Sequence, residues 1–301
     1  MKSNYARLVK LAAWAATGTA SFLILLKLFA WWHTDSMSLL ASLVDSCIDL
    51  LASGINLIVI RYALQPADAE HRFGHGKAES LAALTQSAFI FGSAGFLLLG
   101  SIERLFRPTD VIEPGVGVIV SLMATVVTLL LISLQKWVVK KTKSQAIAAD
   151  SLHYQSDFLM NIAIAFALGL TWYGFHQVDA IFAILIGVGI LLSAAKMAYD
   201  AVQSLLDKQL PLEEQQKIVT IAKSVSGVLD VHNLRTRQAG ATKFIQLHIE
   251  LDDHIALFDA HIITDQVEDL LTVAFSGADI VLHQEPISIG RKHRTEADGF
   301  K

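Results

Sequence analysis

The sequence predicts a multi-pass α-helical membrane protein, with six transmembrane helices followed by a small α+β domain. Three observations predict it. Of 301 residues, 53% are hydrophobic and 17% charged, with mean hydropathy +0.49. The apolar residues fall in the first two thirds, in six runs of the ~20 residues needed to cross a bilayer. After Leu206 the composition becomes that of an ordinary globular chain, and a strand-like alternation appears. The expected domains are 1–207 in the membrane and 208–290 in the cytoplasm, with a polar, disordered tail at 291–301.

The first run, Leu11 to Trp32, follows a short basic segment, Lys2 to Lys10. It is too long for a signal-peptide core and is followed by further spans, so it reads as a transmembrane helix. The others run from Ser38 to Ala63, Ser80 to Leu105, Val116 to Leu134, Ile147 to Trp172 and Val178 to Leu206. Short connections at 33–36 and 173–177 make two antiparallel hairpins. Lys and Arg concentrate in the N-terminus and the second and fourth connections (Arg72, Lys77, Lys136, Lys140, Lys141, Lys143), which places both termini in the cytoplasm. Trp31, Trp32 and Trp172 then fall at outer ends and Trp137 at an inner end.

Beyond Leu206, Pro211–Ser224 reads as an amphipathic helix and Val228–Gln238 as a strand. In Lys243–Asp252, Ile245, Leu247, Ile249 and Leu251 alternate with polar residues at a period of two. Ala239-Gly240-Ala241 is the turn between these strands. Leu257–Val273 reads as a helix and Asp279–Glu285 as a third strand. The order α-β-β-α-β suggests helices on one face of a sheet.

Net charge is −4, which offers nothing to nucleic acid. Cys47 is the only cysteine, which excludes an intramolecular disulfide and a thiolate-rich metal site. Any metal must be held by oxygen and imidazole.

The donors are at hand. Asp45 and Asp49 lie four apart in the second span, as do His153 and Asp157 in the fifth. Residues four apart share a helix face. An ionisable group at mid-bilayer costs about 2.5 kcal/mol or more, so it marks a functional site. Counting ~1.5 Å per residue places Asp49 ~16 Å and Asp157 ~20 Å from the outer side, both near the midplane of a ~30 Å core. Cys47 points elsewhere on its helix. A structural ion pair is discounted because no Lys or Arg is expected at that depth, which leaves a site that holds either a divalent metal or protons. An intramembrane metalloenzyme is disfavoured, since no His-Glu-x-x-His motif occurs.

Two further donor groups stand out. The second connection reads Asp68-Ala-Glu-His71-Arg-Phe-Gly-His75-Gly-Lys77. In the C-terminal third, His232, His248, His254, His261, His283 and Glu285 fall within about 55 residues, and several could converge at one face of the sheet. His254 reads as a surface residue, and His33, His176 and His293 as loop or tail residues.

Together these motifs resemble the cation diffusion facilitator family over all but the tail. The resemblance implies a homodimeric antiporter of the bacterial inner membrane that exports Zn²⁺, with Cd²⁺ or Fe²⁺ as other substrates, in exchange for protons. It implies a ferredoxin-like cytoplasmic domain that responds to metal. The transport site would be Asp45, Asp49, His153 and Asp157, and the loop site Asp68, His71 and His75. A binuclear cytoplasmic site would use His232, His248, His261, His283, Gln284 and Glu285. The family usually carries aspartate at the place of Glu285. Lys77 and Asp207 would interlock the helices of the dimer. The one nitrogen and three oxygens of the transport site suit Zn²⁺ but also related ions, and His153 would be the proton carrier. The alternative function is a membrane metal sensor that does not transport.

Overall fold

A computed structural model of the chain describes residues 2–34, 37–106, 116–171 and 178–290. The element order is α1 (Lys2–Thr34), α2 (Met37–Ala63), α3 (Ala78–Phe106), α4 (Val116–Thr142), α5 (Gln145–Thr171), α6 (Val178–Leu205), α7 (Leu212–Lys223), β1 (Asp230–Ala239), β2 (Thr242–Leu251), α8 (Leu257–Ala274) and β3 (Asp279–Pro286). These elements divide into two compact units, one of Ser3–Val202 and one from Gln203 onward. Trp172 and the tail lie outside the described residues.

Two helices run further than their apolar runs. α1 begins at Lys2, so the basic N-terminal segment is its first turns. α4 continues to Thr142 through Lys136, Lys140 and Lys141, which sequence reading gave to a connection. Lysine is a good helix former and its charge lies favourably at a helix C-terminus. The real connection is Lys143–Ser144. Lys143 takes the left-handed conformation (φ 60°) that ends α4, and Ser144 caps the start of α5, its Oγ accepting from Ile147 N at 3.4 Å.

The first unit has its polarity turned inward. Leu25, Phe29, Leu51, Ile58, Phe89, Phe96, Leu130 and Leu192 are exposed, while Ser53, Gln86, Gln135, Asp150 and Ser151 are buried. Lipid is the solvent that accepts the first group and requires the second to pair internally. Among the described residues, α1, α3, α4 and α6 contain segments long and apolar enough to cross a membrane. α2 and α5 carry the ionisable pairs. α5 is central. Its Ala146 and Ile147 pack with Val9, Ala12 and Ala13 of α1, Leu57 and Ile60 of α2 and Val138 of α4. Ala149 meets Ala83 of α3 and Ala201 of α6. These small residues let the helices approach closely.

In the second unit the sheet order is β1-β2-β3, with β1/β2 antiparallel and β2/β3 parallel. The hairpin turns on two residues, Gly240 and Ala241, and Gly240 supplies the positive φ (55°) that such a turn needs. Ile245, Leu247 and Ile249 of β2 are fully buried against Ile218 and Ala222 of α7 and Val267 and Leu271 of α8. The period-two pattern thus puts apolar residues on the helix-covered face and His248 and Glu250 on the other.

Candidate metal centres

Within the membrane unit, α2 and α5 present Asp49, His153 and Asp157 to one another. His153 Nε2 lies 3.0 Å from Asp49 Oδ1 and 3.8 Å from Asp157 Oδ2. Donors on a tetrahedral Zn²⁺ with bonds near 2.0–2.1 Å stand roughly 3.3 Å apart, so these separations suit one ion. Asp49 and His153 are largely buried, and Asp157 is the more exposed at 39%. Asp45 is helical, but its side chain lies outside the described residues. Ser53, one turn beyond Asp49, shares a hydrogen bond of 2.9 Å with Tyr154. Cys47 is exposed.

One sequence expectation is corrected here. Lys27 of α1 does reach this level of the bundle, donating from Nζ to Ser46 Oγ at 2.6 Å. Ser46 follows Asp45 directly and precedes Asp49 by one turn. The depth count could have found it: at ~1.5 Å per residue Lys27 lies ~10 Å from the end of α1 and Ser46 ~14 Å from the start of α2. Asp150 was also missed. It is 1% exposed and accepts from Gln135 Nε2 at 2.7 Å. Its place in the stripe Asp150, His153, Asp157 was legible as i, i+3, i+7.

The loop between α2 and α3 is organised by Asp68. Its Oδ1 accepts from the backbone N–H of His71 (2.6 Å) and Glu70 (3.0 Å). These bonds, that of His71 first, hold its carboxyl below the usual aspartate range, helped by the two histidines and opposed by desolvation. His71 Nδ1 is 3.5 Å from Oδ1 and His75 Nε2 3.4 Å from Oδ2. His75 is buried against the Tyr62 ring, 4.5 Å between centroids. Asp68, His71 and His75 therefore offer three donors to one point.

In the second unit, His232, His248 and His283 occupy one register position across all three strands. Glu250 and Glu285 are paired one step along the same face. His248 Nδ1 is 2.8 Å from Glu285 Oε1, and His232 Nε2 is 3.3 Å from Oε2 of the same carboxylate. His283 Nε2 is 3.4 Å from Oε1. His248 is held below the ordinary histidine value, by burial first and partly offset by Glu285, which favours its neutral, metal-ligating form. The glutamate thus reaches all three imidazoles despite its extra methylene. Borderline nitrogen donors around a carboxylate fit Zn²⁺.

Two expected ligands stand apart within this chain. Gln284 lies on the opposite face, donating to Thr264 of α8 at 2.7 Å, because a strand sends adjacent side chains to opposite faces. His261 is 67% exposed on α8, 3.6 Å from Asp265. Conversely, Glu250 was missed as a site residue. It is fully buried, with Oε1 2.9 Å from His232 Nδ1. Gly290 packs on it so closely that a Cβ there would stand 2.6 Å from Oε1. Asp207, just past α6, is 3.4 Å from Arg237.

Comparison with known proteins agrees with this architecture. Residues 13–206 match the cation efflux transmembrane domain, and residues 210–287 the cytoplasmic domain of cation efflux proteins. The chain is 57% identical over 289 residues, 96% of each chain, to the cation-efflux pump FieF of Shigella boydii serotype 18. It matches that of Escherichia coli (strain K12 / DH10B) to the same extent. A solved cytosolic domain of a cation diffusion facilitator family protein is 26% identical, covering 26% of this chain and 93% of its own, at TM-score 0.24. With its helical membrane domain and its small sheet-and-helix domain, the chain belongs to the cation efflux family.

Proposed function

We propose that this protein is a homodimeric antiporter of the bacterial inner membrane, with both termini cytoplasmic, which exports Zn²⁺ or a related divalent ion in exchange for protons. The observation that carries this reading is the convergence of Asp49, His153 and Asp157 inside the bundle, with Asp45 one turn from Asp49 on the same helix. Facing the cytoplasm, the deprotonated site captures the ion. Facing outward, protons compete for His153 and the carboxylates, because ligation requires their deprotonated forms. His153 nitrogen tilts the choice toward Zn²⁺ over harder ions. Similarity to efflux pumps over almost the whole chain supports transport over sensing or catalysis.

The cytoplasmic cluster would bind Zn²⁺ as a regulator, which favours the dimer by mass action. His261, on an exposed helix face, would contribute only where a second copy approaches. Lys77 and Asp207 would lock the helices of the pair.

The test is a flux panel in reconstituted vesicles across Zn²⁺, Cd²⁺, Fe²⁺ and Co²⁺, with and without a pH gradient. Zn²⁺ accumulation driven by the gradient is expected, and His153→Ala should separate metal movement from proton movement. Vesicles that bind Zn²⁺ without accumulating it would make the protein a sensor.

A further inference from the structure

We infer that Lys27 is a positioning charge for the intramembrane site: a fixed cation, tethered by Ser46, that weakens the hold on a divalent ion and so speeds its release. The inference rests on the transport reading for its purpose, but its prediction about affinity does not.

Lys27 is a half-buried lysine of α1, and the neighbouring α2 buries Ser46, Ser53 and Asn56. Lysine can extend its long stem toward water near a helix end. Here Lys27 instead reaches inward, and its Nζ donates to Ser46 Oγ at 2.6 Å. Ser46 is itself buried at 1% exposure. Ser46, Asp49 and Ser53 follow at i, i+3 and i+7, so they line one stripe of α2. The ammonium is therefore held beside Ser46, a residue one helical turn before Asp49 on the side nearer the α1–α2 connection. Under the proposed topology that side is the outer one.

A site of three carboxylates and an imidazole buried in lipid would hold Zn²⁺ tightly, and a transporter must also let go. A unit charge one turn away repels a divalent ion with twice the force it exerts on a proton. It therefore lowers affinity for the divalent ion more than for any single proton. With an effective permittivity near 20, removing it should tighten the metal Kd by roughly tenfold or more.

The experiment is Zn²⁺ titration of the full chain in lipid nanodiscs. It uses a parent carrying His75→Ala and His248→Ala, which silences the other two clusters. Asp157→Asn in that parent identifies the transport-site component. Lys27→Met and Lys27→Gln should both tighten that component by roughly tenfold. They should also slow Zn²⁺ release from preloaded protein when the pH is lowered. Lys27→Gln matters most, since an amide can keep a hydrogen bond to Ser46 without the charge. Lys27→Arg should restore the parent's Kd. An unchanged or weaker Kd in Lys27→Gln overturns the proposal and leaves Lys27 a structural tether. A parent with no Asp157-dependent component overturns the transport-site reading itself, which is a separate and recognisable failure.

Discussion

In the membrane unit, one helix carries His153 and Asp157 at i,i+4 and offers them to Asp49 across a single helix contact. In the second unit, three imidazoles come from three strands and meet only because β1, β2 and β3 share a register at His232, His248 and His283. The same donor types are thus assembled in two ways. Helical spacing sets the first pair before any tertiary contact exists. Strand register sets the second, and a slip of one residue would send each histidine to the helix-covered face. β1 already carries an irregularity between His232 and Arg235, where Asn233 takes φ 50°. That irregularity leaves His232 aligned with His248.

The largest effect expected from this contrast is on flux. Asp157→Asn should lower Zn²⁺ uptake into vesicles by at least about 100-fold and leave Zn²⁺ binding by the cytoplasmic cluster intact. Equal loss of flux in Glu285→Ala would show that the two centres cannot be separated. Next, Glu250→Ala removes the carboxylate beside His232 Nδ1, and cytoplasmic Zn²⁺ affinity should fall by about 10–100-fold with transport-site binding unchanged. Titration in an Asp49→Asn, His75→Ala background would isolate that component.

Gly290→Ala tests packing over the same carboxylate. The added Cβ must displace Glu250, a cost of about 1–3 kcal/mol in domain stability, read as a lower melting transition. The smallest expected effect concerns pH. His248 in the folded chain is held below its ordinary value near 6.5, so on acidification the unfolded chain binds the proton first. Stability of the metal-free protein should therefore fall as pH drops from about 6.5 through the depressed value, and level off below it. His248→Gln should flatten that slope in thermal unfolding at pH 7.5 and 5.5.

The pattern of legibility follows from the same contrast. His153 and Asp157 could be paired from their spacing, and Asp49 brought to their depth by counting, since helical geometry is local; that α2 lies against α5 could not be read. The alternation Ile245, Leu247, Ile249 fixed which face of β2 is buried and hence where His248 points. The alignment of His232 with His248 and His283 could not be read, because register depends on the turn at Gly240 and on sheet packing. Gln284 was given to the cytoplasmic site through family resemblance, against the alternation that sends it to α8. Glu250 was visible as a polar-face residue, but its complete burial is tertiary. Lys27 is legible as a charge inside the first apolar run, but its bond to Ser46 across two helices is tertiary.

The row of imidazoles has a mechanical consequence. β1 and β3 are the outer strands of a three-stranded sheet, each joined to β2 along one edge only. An ion gripped from both sides of β2 would act as a rivet across the layer, stiffening strands that otherwise fray independently. Amide hydrogens of β1 and β3 near His232 and His283 would then exchange more slowly with metal than without, so this small domain would register a dissolved ion as a change in its own rigidity.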